Sequence, residues 1–538
     1  MRNKQGFIGL LAGCMLLPAV SRAATEEPVY YQSFDRVPEH VIRAAGEATT
    51  GSPSYFLVHT PAYTAGLDGL ALDLTDDVAF RIPLNLTADE QPGYGTNDSF
   101  AFEVWVQTKP GAAQGTPILT NRATEDPSAP GWCIGTHENG AWYWKMSDGK
   151  TSYDYEPTPQ RQAVNDGKWH QLAVSYDRGR EETRMYFDGR NVAVYHTPGL
   201  GSLKSQLRTV VGGSDENQDW ECRGEWMAFN GKIDEVRLWN RPLEAGEVKA
   251  SYTRYFPLAE PAAGVTPQVL KAQVWNIWHG GRRFGRAVGV QRVVDVLKQE
   301  DADVIGLIET YGSGAVIADS LGYYFYLISS NLSILSRYPI EETVRVFRPF
   351  NSGGAVIRLS DTQRIAFFNC WLHYLPDVAE LGKGKAAVRK YEQEEAKTRV
   401  AEIEEILKEL APYTADASET PVFLAGDFNC ASQADWTEQT KGLHGGVTVS
   451  LPVSERVTTA GFHDSFRQLT PDVSLAPGAT WSPLINAGAD KLSCLPQRID
   501  FIYYRGEKLI PFRSEVLTHY PKGWPSDHGS VVTSFYVR

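Results

Sequence analysis

The chain contains 538 residues, of which 42% are hydrophobic and 22% are charged, and its formal net charge at pH 7 is -13. This length exceeds the range in which one hydrophobic core keeps growing, so more than one domain is expected, and the composition excludes a disordered or fibrous protein. Because duplex binding usually depends on a basic surface, the acidic balance disfavours, without excluding, a dedicated nucleic-acid binder. Most of the acidic excess precedes residue 265, which leaves the C-terminal half close to neutral.

The first residues have the pattern of a secretory signal peptide. Basic residues are followed by an apolar run over 7–20 and by a small-x-small sequence that ends at Ala23. We therefore predict a signal peptide over 1–23 and an exported protein, either periplasmic or secreted. The run is too short to span a bilayer and no later apolar stretch is long enough, so no transmembrane segment is expected. A lipoprotein-like sequence ending at Cys14 leaves lipid anchoring through that residue as an open alternative.

Residues 24–257 are predicted to form the first domain, an all-β sandwich. Short segments with apolar residues at every second position, such as 100–108 and 169–176, alternate with Gly, Asp and Pro turn signals. The pair Asp188-Gly189 is typical of a tight hairpin between two strands. No helix of any length is expected before residue 240.

Three stretches of this domain, at 66–74, 100–108 and 229–248, resemble the laminin-G-like, concanavalin-type jelly-roll family. The resemblance implies a jelly-roll sandwich that holds glycans or proteins and has no chemistry of its own. The aromatic residues of the domain could stack on sugars, but core packing is the favoured interpretation for most of them. They include Trp142, Trp144, Trp220 and Trp226.

Residues 258–267 are rich in Pro, Ala and Gly and are predicted to be a linker, and 268–538 are predicted to form a second domain of layered α/β architecture. Helical periodicity appears at 286–299 and 388–410. Strand-like apolar runs appear at 269–277, 303–309, 354–360, 364–373, 421–427 and 499–504.

Polar side chains with catalytic or ligand chemistry follow or begin several of these strand-like runs. They are Asn276, Glu309, His373, Asp427, Asn429, Asp500, Asp527 and His528. Taken singly, each is more often a turn former or a structural residue than a functional one. Together, their carboxylate and amide oxygens are the ligands that a hard cation such as Mg²⁺ or Mn²⁺ prefers, whereas zinc is disfavoured because no Cys/His cluster is present.

Six segments of the second domain match, in order, the motifs of the endonuclease/exonuclease/phosphatase superfamily, which includes pancreatic-type deoxyribonuclease. The segments are VWNIWHGG at 274–281, VIGLIE at 304–309, ILSRYPI at 334–340, LAGDFN at 424–429, QRIDFIY at 497–503 and PSDHGSV at 525–531. This resemblance covers nearly all of 268–538. It implies a four-layered α/β sandwich, so the whole chain is expected to be a multidomain protein with a jelly roll followed by this fold.

The resemblance also implies roles for the polar residues. Glu309 is expected to be the principal metal ligand, with Asn276 and Asp527 nearby, and the cation is expected to be Mg²⁺ or Mn²⁺, with Ca²⁺ left open. His528 is expected to be the base that deprotonates the attacking water, oriented by Asp500.

Three further residues complete the implied catalytic set. Asp427 and Asn429 are expected to position the nucleophile, and His373 to donate a hydrogen bond to a phosphate oxygen or to assist the leaving group. Asp464, in a segment that recurs in the family, is expected to cap a helix and is left out of this set.

These expectations predict an exported, divalent-metal-dependent phosphoesterase that hydrolyses a diester or a monoester, with the sandwich as a targeting or glycan-binding module. Two alternatives from other classes stay open. One is a secreted endonuclease or exonuclease, which DNA nicking would reveal. The other is a non-catalytic surface-binding protein, which would turn over no phosphate ester and is disfavoured because every expected catalytic residue is present.

Overall fold

A computed structural model of the protein describes residues 27–35, 62–75, 84–86, 94–112, 115–124, 126–207, 209–214, 229–258, 265–378, 381, 384–444, 446–482 and 497–538. The predicted signal peptide with Cys14, most of the predicted linker, and two of the four tryptophans, Trp220 and Trp226, lie outside these residues. Within the described part of the chain, no helix has the length and apolar character needed to cross a membrane.

The N-terminal part is the predicted β-sandwich. Its strands are β1 Tyr30–Gln32, β2 Ala62–Ala65, β3 Leu70–Asp73, β4 Leu84–Leu86, β5 Phe100–Gln107, β6 Pro117–Thr120, β7 Gly131–Thr136, β8 Trp142–Ser147, β9 Ser152–Tyr155, β10 Trp169–Asp177, β11 Glu182–Phe187, β12 Arg190–His196, β13 Thr209–Val211 and β14 Lys232–Trp239. One sheet has the order β2-β3-β14-β5-β10-β11-β12, with β1 beside β14, and the other has the order β4-β13-β6-β7-β8-β9. The all-β prediction for this part is confirmed.

Large aromatic side chains fill the space between these two sheets. Trp142 and Trp144 are completely buried, so the favoured prediction that they pack in the core is confirmed. Among the described residues of this part, two helices accompany the sheets, α1 Pro159–Gln162 and α2 Ala245–Thr253. Because α1 precedes residue 240, the expectation of no helix there was wrong; it is a single turn that begins with Pro159, whose fixed φ suits a first helical position.

The C-terminal part contains two more sets of strands. They are β15 Val269–Asn276, β16 Val304–Ile308, β17 Tyr324–Leu327, β18 Leu332–Ser336, β19 Ile340–Arg345, β20 Ser352–Arg358, β21 Arg364–Trp371, β22 Val422–Asp427, β23 His463–Asp464, β24 Asp500–Arg505, β25 Leu509–Leu517 and β26 Ser530–Val537. One sheet has the order β17-β18-β16-β15-β26-β25 and the other the order β19-β20-β21-β22-β24-β23. Each of the six predicted strand-like runs contains or overlaps one of these strands.

Helices cover the outer faces of both sheets. They are α3 Arg286–Glu300, α4 Gly314–Leu321, α5 Lys385–Lys397, α6 Arg399–Glu409, α7 Ala411–Ala415, α8 Pro452–Thr459 and α9 Ser465–Leu469, with a 3₁₀ turn at Lys441–His444. The inner faces of the sheets form one apolar cluster, and each outer face packs on helices such as α3 or α6 in a separate cluster. The helix–sheet–sheet–helix order confirms the predicted four-layered α/β sandwich.

The single helix predicted over 388–410 is two helices, because the chain breaks at Thr398. This residue has φ -111° and ψ -102°, outside the helical region. Its hydroxyl group donates to the carbonyl oxygens of Leu375 (3.2 Å) and Glu394 (3.1 Å), which offers the backbone an alternative to helical bonding. The break lets α5 and α6 leave Thr398 in different directions.

The two parts of the chain share one continuous sheet. Strand β12 of the sandwich pairs in parallel with β17, with Val194 opposite Tyr326. Beside this pairing, the buried carboxylate of Asp319 on α4 accepts hydrogen bonds from the backbone N–H (3.0 Å) and hydroxyl of Thr158 and from Gln162 Nε2 (2.8 Å). The Asp319 carboxylate therefore holds α1 of the sandwich against the C-terminal part.

We expect Asp319→Ala to lower the free energy of unfolding by about 2 to 4 kcal/mol, because it leaves buried donors of Thr158 and Gln162 without acceptors. Urea denaturation followed by tryptophan fluorescence measures the change. The control Asp361→Ala removes a carboxylate whose side chain is 62% exposed and should change stability by less than about 0.5 kcal/mol. Equal effects of the two substitutions would contradict the role given to Asp319.

Candidate active site

Two sheets bring polar side chains to one edge of the C-terminal sandwich. In the first sheet, β15 and β16 are parallel and end side by side, and β26 runs antiparallel to β15, so β26 begins near the end of β15. In the second sheet, β24 runs antiparallel to β22, so β24 begins at the end of β22. In the second sheet, Asp427 and Asp500 are directly opposite each other. The residues gathered at this edge are Asn276, Glu309, Asp427, Asp500, Asp527 and His528.

The His528 side chain lies at the centre of this group and is held on one side by Asp500. The Nδ1 atom of the ring is 2.9 Å from Asp500 Oδ2. The backbone carbonyl oxygen of His528 accepts hydrogen bonds from the indole N–H groups of Trp275 (3.1 Å) and Trp524 (2.7 Å). The other ring nitrogen, Nε2, faces Asp427 Oδ2 at 3.9 Å and Asp527 Oδ1 at 4.0 Å. The imidazole is thus oriented by one carboxylate and presents its second nitrogen to two others.

These acid groups shift one another's proton affinities. Burial by itself lowers the pKa of His528, but the negative charges of Asp500 and Asp427 outweigh it and raise the pKa to about 10. Burial, followed by the charge of Asp500, raises the pKa of Asp427 to about 7. Burial also raises the pKa of Asp527. The protein alone therefore favours a protonated imidazole at this site.

Asn276 links the two halves of the site. Its amide Nδ2 donates to Glu309 Oε1 (3.2 Å) and to Asp427 Oδ2 (3.1 Å), while its Oδ1 accepts from the backbone N–H of Trp278 (3.0 Å). In this arrangement the amide nitrogen of Asn276, and not its oxygen, faces the two carboxylates. Asn276 thereby fixes the distance between the Glu309 and Asp427 side chains.

The chain around Glu309 adopts an uncommon backbone conformation. Trp278, His279, Gly280 and Gly281 all have positive φ, so the four residues form a left-handed turn, and Glu309 itself has φ 57°. For residues with a side chain this conformation costs roughly 1–2 kcal/mol each. The turn is held by hydrogen bonds from the N–H of His279 to Glu309 Oε2 (2.8 Å) and from the N–H of Gly280 to the Glu309 carbonyl (2.7 Å).

A glycine is required next to Asp427. Gly426 has φ 147°, and a Cβ atom there would collide with the carbonyl oxygen of Cys370 on the neighbouring strand β21. The close approach of the two strands places Asp427 at the end of β22. Its Oδ1 atom accepts a hydrogen bond from the N–H of Asn429 (2.9 Å), which follows two residues later.

The remaining two predicted residues, Asn429 and His373, lie beside this cluster. The Asn429 side chain donates to the carbonyl oxygen of Leu372 (2.9 Å), which ties it to the loop that carries His373. His373 makes no hydrogen bond to the cluster among the described residues. Its backbone N–H donates to Glu402 (2.8 Å), and its Nδ1 accepts from the N–H of Leu375 (3.1 Å). Nδ1 is also 3.1 Å from the carbonyl oxygen of Leu375, so either neutral tautomer of His373 can bond to Leu375.

The donor set fits a hard divalent cation. Three carboxylates, those of Asp427, Asp500 and Asp527, lie within 4.0 Å of the His528 imidazole. Glu309 adds negative charge near Asp527, and the mutual repulsion of these carboxylates is unfavourable without positive charge. Two buried carboxylate atoms, Asp500 Oδ1 and Asp527 Oδ1, have no hydrogen-bond partner within the part of the chain that the structure describes. Ligand atoms of Asp427, Asp500 and His528 also lie within 4.8 Å of one another. Oxygen-rich sites of this kind suit Mg²⁺ or Mn²⁺.

Comparison with known proteins assigns both parts of the chain. The model of the endonuclease/exonuclease/phosphatase family matches residues 274–528, and the model of the concanavalin A-like lectin/glucanases superfamily matches residues 85–249. The C-terminal domain belongs to the endonuclease/exonuclease/phosphatase family. The N-terminal match agrees with the jelly-roll resemblance of the sequence.

Individual proteins are similar to the chain over half of its length. An uncharacterized protein of Caenorhabditis elegans is 27% identical over 299 residues, which are 50% of this chain and 92% of that protein. The structure of TDP2 from Caenorhabditis elegans shares 15% identity, covering 50% of this chain and 74% of that chain with a TM-score of 0.35. An AP endonuclease from Archaeoglobus fulgidus shares 18% identity, covering 50% of this chain and all of that chain with a TM-score of 0.36.

Sequence reasoning missed a buried arginine in this endonuclease/exonuclease/phosphatase domain. The Arg399 side chain is fully buried and donates to the carbonyl oxygens of Asn429 (2.5 Å), Pro376 (2.6 Å) and His373 (3.4 Å). It thereby joins the two loops that carry Asn429 and His373. Its partner Glu395, 3.4 Å away, is also fully buried, and burial raises the pKa of that carboxyl group to about 7.

A sequence signal for this role exists. Arg399 lies four residues before Ile403 and seven before Ile406, on the apolar face of α6, where a charged residue is unexpected unless it has buried partners. The prediction for Asp464 is confirmed, because its carboxylate accepts from the N–H groups of Phe466 and Arg467 at the start of α9.

We expect Glu309→Gln to weaken the binding of Mn²⁺ by at least about tenfold, because it removes one negative charge from the carboxylates that are expected to hold the cation. Isothermal titration calorimetry measures the affinity without any substrate. Glu419→Gln removes a carboxylate whose side chain is 72% exposed and serves as the control. Unchanged Mn²⁺ affinity in Glu309→Gln would show that Glu309 is not a ligand.

Removing the Arg399 side chain alone should lower the free energy of unfolding far more than removing it together with that of Glu395. Arg399→Met leaves a buried carboxylate unpaired and is expected to lower the free energy of unfolding by about 3 to 5 kcal/mol. The double variant Arg399→Met/Glu395→Leu removes both charges and should recover most of that loss. Thermal and urea unfolding measure both variants. Additive losses in the double variant would contradict the buried ion pair.

Proposed function

We propose that this protein is a divalent-metal-dependent phosphoesterase that hydrolyses a phosphate ester by direct attack of water. The observation that carries the proposal is the orientation of His528, whose Nδ1 is bound by Asp500 while Nε2 faces the carboxylates of Asp427 and Asp527. This arrangement occurs in a domain of the endonuclease/exonuclease/phosphatase family. No covalent intermediate on the protein is required.

The nucleophilic water is assigned to the gap between His528 and Asp427. The 3.9 Å between His528 Nε2 and Asp427 Oδ2 is too long for a direct hydrogen bond and suits one water bonded to both atoms. His528 in its neutral form takes a proton from this water, and Asp500 stabilises the resulting imidazolium ion. Asn429 donates its N–H to Asp427 and so fixes that carboxylate beside the water.

Glu309 and Asp527 are assigned to hold the cation, Mg²⁺ or Mn²⁺, with Ca²⁺ as a further candidate. The expected ligand role of Asn276 is corrected to a positioning role, because its amide nitrogen faces the Glu309 and Asp427 carboxylates and its oxygen is bound to the N–H of Trp278. When bound, the cation supplies positive charge that offsets the negative charge on the phosphate group. His528, close to that positive charge, would then have a lower pKa, nearer the range in which a base works at neutral pH. His373 is assigned to donate through Nε2 to a phosphate oxygen or to the leaving group, since its Nδ1 contacts Leu375.

We further propose that the protein is exported and that its sandwich is a targeting or glycan-binding module. The signal-peptide pattern at 1–23 supports export, with lipid anchoring at Cys14 as the alternative. The match to the concanavalin A-like superfamily supports a binding role for the sandwich. Trp142 and Trp144 do not contribute to such a surface because they are completely buried.

A nuclease is the second candidate, and one observation favours it. Arg282, Arg283 and Arg286 follow the left-handed turn and are all exposed, and Arg282 Nη2 donates to the carbonyl oxygen of Tyr311 (3.0 Å), two residues after Glu309. Arginine side chains in such positions suit the phosphates of a longer polyanion.

The test is hydrolysis of bis-p-nitrophenyl phosphate, p-nitrophenyl phosphate and plasmid DNA with and without Mg²⁺ or Mn²⁺. We expect metal-dependent turnover that falls by about 10² to 10⁴ in His528→Ala, the range that a positioned base contributes. His463→Ala, at an exposed histidine outside the cluster, is the matched control. Nicking of plasmid DNA would support the nuclease. The absence of turnover with every substrate would support the non-catalytic binding protein.

A further inference from the structure

A row of four ring side chains begins at His373. The His373 and Tyr374 rings are stacked, with centroids 5.0 Å apart and planes 14° apart. The Tyr374 ring lies 6.4 Å from the Trp371 ring, and the Trp371 ring meets the Phe350 ring edge-on at 5.7 Å. We call these four residues the ring row. It extends from a proposed catalytic side chain to the surface of the domain.

Two members of the ring row are exposed although their side chains are largely apolar. Tyr374 is 57% exposed and Phe350 is 42% exposed, and the neighbouring Leu375 is 43% exposed. Leaving such surface in water forgoes the stabilisation that burial would give. Exposed aromatic surface that adjoins a polar site is characteristic of a place where a ligand packs.

Buried amide side chains fix the ring row relative to the active site. Asn331 is fully buried; its Oδ1 accepts from the N–H of Glu309 (3.1 Å), and its Nδ2 donates to the carbonyl oxygen of Phe350 (2.9 Å). The residue after Phe350, Asn351, makes two hydrogen bonds with the backbone of Trp371. Its carbonyl oxygen accepts from the Trp371 N–H (2.8 Å), and its Nδ2 donates to the Trp371 carbonyl oxygen (3.0 Å). One end of the row is thus tied to Glu309.

The same row is tied to the other side of the site. Trp371 is the last residue of β21 and lies opposite Asp427 in the pairing of β21 with β22. His373, two residues later, is joined to Asn429 through the carbonyl oxygen of Leu372. The rings therefore have a fixed position with respect to Glu309, Asp427 and the proposed phosphate position.

We propose that the substrate carries a flat ring on the His373 side of its phosphate, and that this ring packs against Tyr374 and Phe350. The substrate class is therefore a ring-bearing phosphate ester and not a simple alkyl ester. This inference rests on the proposed function, since it takes the phosphate position from it. A heteroaromatic base and the flat face of a sugar share the required chemistry.

The test is calorimetric binding of small phosphates to the full-length protein in the presence of Mn²⁺. We expect phenyl phosphate to bind about tenfold more tightly than methyl phosphate, the size of one stacking contact. In Tyr374→Ala/Phe350→Ala this preference should disappear while methyl phosphate affinity stays the same. The control Phe512→Ala/Tyr536→Ala removes another exposed stacked pair, on β25 and β26, and should keep the preference.

Each outcome separates the two proposals. Equal affinities for phenyl and methyl phosphate in the unsubstituted protein, or equal losses for both in Tyr374→Ala/Phe350→Ala, would overturn the ring inference alone. Binding of neither phosphate would overturn the phosphate site on which the proposed function depends. Thymidine 5′-monophosphate and glucose 6-phosphate are then compared to identify the kind of ring. If Tyr374→Ala/Phe350→Ala weakens the binding of the first, the ring is a nucleoside base; if it weakens the binding of the second, the ring is a sugar.

Discussion

The site depends on the balance of negative charge around one buried imidazole. Asp427, Asp500 and Asp527 surround His528, and the nearest two of these carboxylates raise its pKa to about 10. A protonated imidazole cannot accept a proton from water, so the carboxylates that orient His528 would also prevent its proposed action as a base until positive charge is added. A cation held by neighbouring carboxylates would offset this negative charge and allow His528 to act as the proposed base, which would couple metal binding to the proposed activity.

Much of the domain serves to hold these mutually repelling groups in place. The Asn276 amide bridges Glu309 and Asp427, and the left-handed turn after β15 is kept by hydrogen bonds to Glu309. Positive φ angles at Glu309 and Asn429 show that the backbone is strained where the functional side chains are carried. The buried Arg399 donates to backbone carbonyl oxygens in both the loop that carries His373 and the loop that carries Asn429, and so holds these loops together.

The sequence predicts this architecture well wherever local pattern decides the structure. Alternating apolar runs identify strands such as β15 and β22, and the residues at their ends, Asn276 and Asp427, do meet at one edge. Predictions fail where distant contacts decide. The break at Thr398 depends on a hydrogen bond to Leu375, and the parallel pairing of β12 with β17 joins segments more than a hundred residues apart. Periodicity contains no information on such partners.

The most direct test of this account is a titration of the His528 imidazole by NMR, with and without saturating Mg²⁺. The account predicts a pKa near 10 in the metal-free protein, raised by Asp500 and Asp427 against the effect of burial, and a fall towards neutrality when Mg²⁺ binds. A pKa near the ordinary value of about 6.5 without Mg²⁺, or a raised pKa that Mg²⁺ leaves unchanged, would contradict it.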